Sequence, residues 1–179
     1  MYENISEQGS NSGRPIYTNL SLTPFEKGAI SVNIVVLCLH WAYVIWNYSD
    51  LPEEIPVHWN TSGEPDSYQG KGFIFLLPSM SLAAFILIWI SANYPHKYNF
   101  PVPITPSNAK YQYVLARKFQ RVVSAFLAFQ LLILSNITIS AIHNPSQTLT
   151  TFMVLFIIVP ILILIALFFY YRSYARRFV

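Results

Sequence analysis
A chain of 179 residues that is 54% hydrophobic, 16% aromatic and 11% charged falls well below the roughly 25% charged content of soluble domains. Its net charge of +3 predicts no nucleic-acid partner, because the basic residues flank apolar runs instead of forming a basic domain. The lone Cys38, set inside an apolar run, excludes an intrachain disulfide.

Four runs lack Asp, Glu, Lys and Arg: 28–48, 73–93, 122–142 and 152–171. At ~1.5 Å rise per residue, each is long enough to cross a hydrocarbon core of about 30 Å. The expected class is all-α: a four-helix, multi-pass membrane bundle with simple up-down connections. Residues 1–22, rich in Ser, Asn and Gly, read as a mobile cytoplasmic tail without a cleavable leader, and 23–179 as the membrane domain. Thr23, Pro24 and Glu26 fit a capping box with proline at the first helical position. The first span ends among Trp41, Tyr43, Trp46 and Tyr48, an interfacial aromatic belt.

The outer loop, 49–72, follows. In it 55–60 reads as extended, 60–63 as a tight turn, and 64–67 as a second turn around Pro65. The second span carries Pro78, a predicted kink. The connection 94–106 contains four prolines and is expected to be extended. Helix three runs from near Ser107 to His143, and its first turns, with Lys110, Arg117, Lys118 and Arg121, are expected to protrude from the bilayer. A short turn at 144–150 leads to helix four, which contains Pro160 and ends at Arg172, Arg176 and Arg177.

Placing both termini in the cytoplasm puts ten basic residues inside and Lys71 alone outside. The positive-inside rule therefore predicts an N-in, C-in protein of the plasma membrane, its inner basic cluster facing anionic lipid headgroups. The outer loop holds Asp50, Glu53, Glu54, Glu64 and Asp66 against Lys71, a net charge of −4 with His58 neutral.

Two groups of residues are candidates for function. In the loop, His58, Trp59, Asn60, Glu64 and Asp66 are candidate ligand-binding residues. A metal or acid–base cluster of His58, Glu64, Asp66 and Glu53 is a sharper alternative, but one histidine with carboxylates matches structural zinc poorly. No metal, cofactor or catalytic residue is expected. In the membrane, Glu26, Asn33, His40 and Asn47 recur every seven residues and share one helix face. Asn136, Ser140 and His143 form a second stripe, with Gln130 deeper. Polar side chains at this depth turn toward protein. His40, Asn47, Asn136, Ser140 and His143 could therefore line a polar pocket under the loop, or simply bond helix to helix at around 0.6 kcal/mol each. No carboxylate or ammonium lies inside the four runs, which disfavours ion-coupled transport.

The segment Leu51-Pro52-x-x-Ile55-Pro56-x-His58-Trp59-Asn60-x-x-Gly63-x-x-Asp66 resembles a family of prokaryotic integral membrane proteins known as a domain of unknown function. The likeness runs from about Val35 to Leu87. The same domain forms the N-terminal part of an immunity protein against the sporulation-delaying toxin, which protects its membrane from a secreted peptide. The resemblance thus implies a non-enzymatic, immunity- or sensor-like protein whose acidic outer loop binds an extracellular peptide or ligand. Two alternatives stand beside it: an accessory subunit clamping neighbouring membrane subunits, and a small metal site or enzyme at the outer loop.

Overall fold
The computed structural model describes residues 5–6, 13–17, 20–60, 64–143 and 148–178. Two short strands, β1 (Ile5–Ser6) and β2 (Ile16–Tyr17), pair antiparallel before the first helix. Helix α1 (Pro24–Tyr48) begins with the expected capping box. Thr23 Oγ1 accepts from the Glu26 amide at 3.3 Å, and the Glu26 carboxylate accepts from the Thr23 amide at 2.9 Å. Two amides that the helix leaves unpaired are thereby satisfied.

Strands β3 (Glu54–Trp59) and β4 (Pro65–Gly70) form an antiparallel hairpin. The all-α expectation is amended here, because the extended run at 55–60 finds a partner strand where loop was expected. A 3-10 turn, Lys71–Phe75, leads into α2 (Leu76–Ser91). The backbone changes from 3-10 to α just ahead of Pro78, which sits in the first α turn, where proline is best tolerated. After a second 3-10 turn, Pro95–Lys97, comes α3 (Ala109–His143). Helix α4 (Thr148–Ala175) keeps Pro160 inside it and ends in a 3-10 turn at Arg176–Phe178. Of the turn expected between α3 and α4, residues 144–147 lie outside those described.

Among the described residues, four segments are long and apolar enough to cross a bilayer: Pro24–Tyr48, Lys71–Ser91, Ala109–His143 and Ile158–Ala175. The chain is a multi-pass membrane protein. Its outward faces are correspondingly oily, with Trp46, Leu87, Phe169 and Tyr170 all exposed, as helices dissolved in lipid require. Helix α3 is the centre of the bundle and touches α1, α2 and α4. At 35 residues it is about 52 Å long, well beyond one bilayer core.

A buried cluster of Val44, Leu51, Ile55, Ile74 and Ile139 seats the hairpin on the ends of α1 and α3 and on the 3-10 turn before α2. At the opposite end residues 13–17 and 20–21 lie against α3 and the connection before it. Arg14 Nη1 donates to the Tyr98 carbonyl at 2.7 Å, Tyr113 donates to the Pro15 carbonyl at 3.0 Å, and the Tyr17 ring meets Tyr113 edge-on.

Candidate functional site
The hairpin is braced at its base. Lys71 N donates to the Glu53 carbonyl at 2.8 Å, Lys71 Nζ lies 2.9 Å from Glu53 Oε1, and the same ammonium sits 5.2 Å from the Tyr48 ring centroid. Phe75 then stacks on Trp41 and meets Tyr48 at a tilt. The seat is thus built from the aromatic belt at the end of α1.

Strand register places the polar residues. Glu54 faces Gly70, Ile55 faces Gln69 and Pro56 faces Tyr68, after which the pairing slips on both sides of His58. Pro56 has no amide hydrogen to give to the ladder, and such irregularities re-aim side chains. His58 Nδ1 comes within 2.5 Å of Asp66 Oδ1. Their side chains are 68% and 43% exposed, so this pair contributes no more than about 1 kcal/mol. Residues 61–63 of the expected turn lie outside those described. On either side of them Asn60 N donates to the Glu64 carbonyl at 2.9 Å, and Glu64 N donates to Asn60 Oδ1 at 3.0 Å. His58, Asn60, Glu64 and Asp66 are therefore brought onto one hairpin tip. Glu53 is held away at the base by Lys71, and among the described residues no three His, Cys, Asp or Glu side chains converge.

Asp50, Glu53, Glu54, Glu64 and Asp66 are all exposed. Below them a cleft of about 380 Å³ opens between the hairpin and the helices, lined by Val57, Trp59, Phe73, Leu77, Leu134 and Thr138. Trp59 belongs to this apolar floor and not to the acidic rim. One element therefore offers negative charge on its outer side and an apolar recess beneath.

The membrane-depth candidates are distributed along a seam between α1 and α3. These helices run parallel, and their polar contacts climb together. Glu26 meets Arg117, Asn33 Nδ2 donates to Ser124 Oγ at 2.6 Å, and His40 Nε2 lies 2.7 Å from Ser135 Oγ. Higher up, Asn136 donates to the Tyr43 hydroxyl at 2.8 Å. Asn47 turns back to the Tyr43 carbonyl of its own helix, His143 Nδ1 lies 2.8 Å from its own helix's Ile139 carbonyl, and Ser140 is exposed. On α1 the rungs at Glu26, Asn33 and His40 are seven residues apart, about 10 Å along the axis, so these three make separate interhelical bonds.

Sequence reasoning did not single out Ser124 and Ser135. Their signal was present: Arg117, Arg121, Ser124, Ala128, Ser135 and Ile139 recur at helical spacing and are all buried. Small residues on such a face let backbones approach closely. Arg117 and Arg121 also differ from the expected protruding, lipid-facing pair. Arg117 Nε lies 2.9 Å from Glu26 Oε1, and its terminal nitrogens donate to the Leu20 and Ser21 carbonyls at 2.9 and 3.0 Å. Arg121 lies 5.0 Å from the Trp89 ring centroid. At this end, outside the spans, burial and then the neighbouring Lys97 charge hold the His96 imidazole below its ordinary pKa.

Comparison with known proteins points to the same part of the chain. Residues 35–82, from mid-α1 through the hairpin into α2, match the family described as Domain of unknown function (DUF1648). An uncharacterized protein of Archaeoglobus fulgidus is 32% identical over 88 residues, 45% of this chain and 48% of that protein. The chain thus spans about half the length of that curated relative. No solved structure matches.

Proposed function
We propose that this is a non-enzymatic protein of the prokaryotic plasma membrane, oriented N-in and C-in, whose hairpin captures cationic amphipathic peptides outside the cell. The observation that carries the reading is the juxtaposition of three exposed carboxylates on one hairpin, Glu54, Glu64 and Asp66, with Asp50 and Glu53 at its base, and an apolar cleft floored by Trp59. A peptide with a basic face and an apolar face would be drawn in by the first and held by the second. The buried seat and the Lys71 brace support this by fixing the rim before a ligand arrives, which lowers the entropy cost of binding. The likeness of the Leu51 to Asp66 segment to a toxin-immunity protein supports the same class of ligand. The positive-inside distribution of Lys and Arg supports the orientation.

The test is peptide association with the protein in zwitterionic nanodiscs. Neutralising the rim (Glu54→Gln, Glu64→Gln, Asp66→Asn) is expected to slow association at least ~10-fold at low salt. Serine in place of the peptide's apolar residues is expected to speed dissociation. A neutralised protein that binds the peptide as fast as the native one would sink the reading.

A further inference from the structure
At the end of the bundle away from the hairpin, a second cleft of about 520 Å³ opens between the start of α1, the first turns of α3 and the last turns of α4. Its α3 wall runs from Tyr111 to Val122, about 16 Å along the helix. The walls are apolar and aromatic, with Phe25, Phe119, Leu167 and Tyr170 prominent. Lys118 is the charged member of the lining.

The cleft is a fixed feature of the fold. The Phe119 and Tyr171 rings stack at 4.7 Å, Gln112 Nε2 donates to the Ala175 carbonyl at 2.9 Å, and the Tyr111 and Tyr174 hydroxyls are hydrogen-bonded. Lys118 is half-buried and has no carboxylate partner among the described residues. Lys27, Lys110, Arg172, Arg176 and Arg177 are exposed at the same end. The carboxylate of Glu26, also at this end, is buried and engaged by Arg117.

We propose that this cleft binds one anionic phospholipid, with an acyl chain lying between α3 and α4 and the headgroup phosphate meeting the Lys118 ammonium. Three features select that occupant. Tyr170 of the lining is exposed on the outward side of a membrane-spanning helix, so a chain enters from the lipid side. Tyr111, Tyr170 and Tyr174 bring hydroxyls to the level where tyrosine meets headgroups, and a lysine stem lies along apolar surface while its ammonium reaches phosphate. The surrounding charge is positive, which favours a net-negative headgroup over a zwitterionic one. An apolar helix of another protein would leave the Lys118 charge unanswered.

Native mass spectrometry of protein released from mixed phosphatidylcholine and phosphatidylglycerol nanodiscs tests this. The native chain is expected to retain one phosphatidylglycerol in preference to phosphatidylcholine. Lys118→Gln is expected to lower that retention about fivefold, the weight of one basic residue at an anionic surface, while Lys118→Arg keeps it. Val122→Trp, which fills the cleft, is expected to abolish it. Equal retention of the two lipids, or unchanged retention in Lys118→Gln, would overturn the assignment. So would a thermal shift produced equally by inorganic phosphate alone, or a Lys118-dependent dimer that carries no lipid.

Discussion

At the scale of single residues, buried polar pairs carry the largest individual effects. Glu26 is fully buried and Arg117 is 5% exposed, and their charges meet at 2.9 Å. Removing one member leaves the other charged and desolvated, which costs about 3–5 kcal/mol, whereas an apolar pair of similar volume is close to neutral. Glu26→Gln is therefore expected to destabilise the protein strongly, and Glu26→Gln with Arg117→Met to recover most of the loss. Unfolding in mild detergent titrated with a denaturing one measures both. Glu26 has a second task, because the same carboxylate closes the cap at Thr23. Thr23→Ala, which removes half of the cap, is expected to cost about 1 kcal/mol. Part of this was legible in advance. The cap is written in four adjacent residues, while the partner of Glu26 lies 91 positions away and only the packing of α3 on α1 selects it.

At the scale of elements, the hairpin stands or falls with its seat. Ile55 is 1% exposed inside the cluster that joins β3 to α1, α3 and the 3-10 turn before α2. Ile55→Ala is expected to cost about 2–5 kcal/mol from lost burial and the cavity left behind. Its effect should be local: proteolysis of the hairpin rises while the helical circular-dichroism signal holds. The connection between α2 and α3 carries a pH response. His96 titrates below its ordinary value in the folded chain, whereas an unfolded histidine takes up its proton near pH ~6.5. Its contribution is thus fully present above about pH 6.5 and is lost as pH falls through the lower, folded value. Arg14 bonds to the His96 and Tyr98 carbonyls, so acidification is expected to loosen the 13–17 stretch. The protection of the Ile16 and Tyr17 amides against hydrogen exchange should fall between pH 7 and pH 5, and His96→Gln should flatten that fall.

At the scale of the whole molecule, the two ends differ in charge. The hairpin end holds five acidic residues and Lys71, and the other end holds Lys27, Lys97, Lys110, Arg117, Lys118, Arg121 and the basic residues of the α4 terminus. In a Cys38→Ala background, an impermeant maleimide applied to intact cells is expected to label Glu64→Cys and to spare Lys110→Cys. The opposite pattern would invert the orientation and remove the extracellular ligand from consideration. The two clefts then belong to different leaflets, one beneath an acidic rim and one amid basic residues, so one composition supports two unlike chemistries.

Composition alone determined the solvent of this protein. Unbroken apolar runs can be covered only by lipid or by partner helices, and their number and length therefore fixed four spans and the alternation of their ends. Local chemistry also placed the start of α1 and the extended run at 55–60, because caps and strand character depend on near neighbours. Tertiary structure decided which polar residues meet. Helix periodicity names a face and not its partner, so the Glu26, Asn33 and His40 stripe could be read while Arg117, Ser124 and Ser135 were assigned only when α3 was set parallel to α1. The clefts were equally out of reach of a linear reading, since each is walled by side chains from elements far apart in the chain, and a void is defined only after those walls have packed.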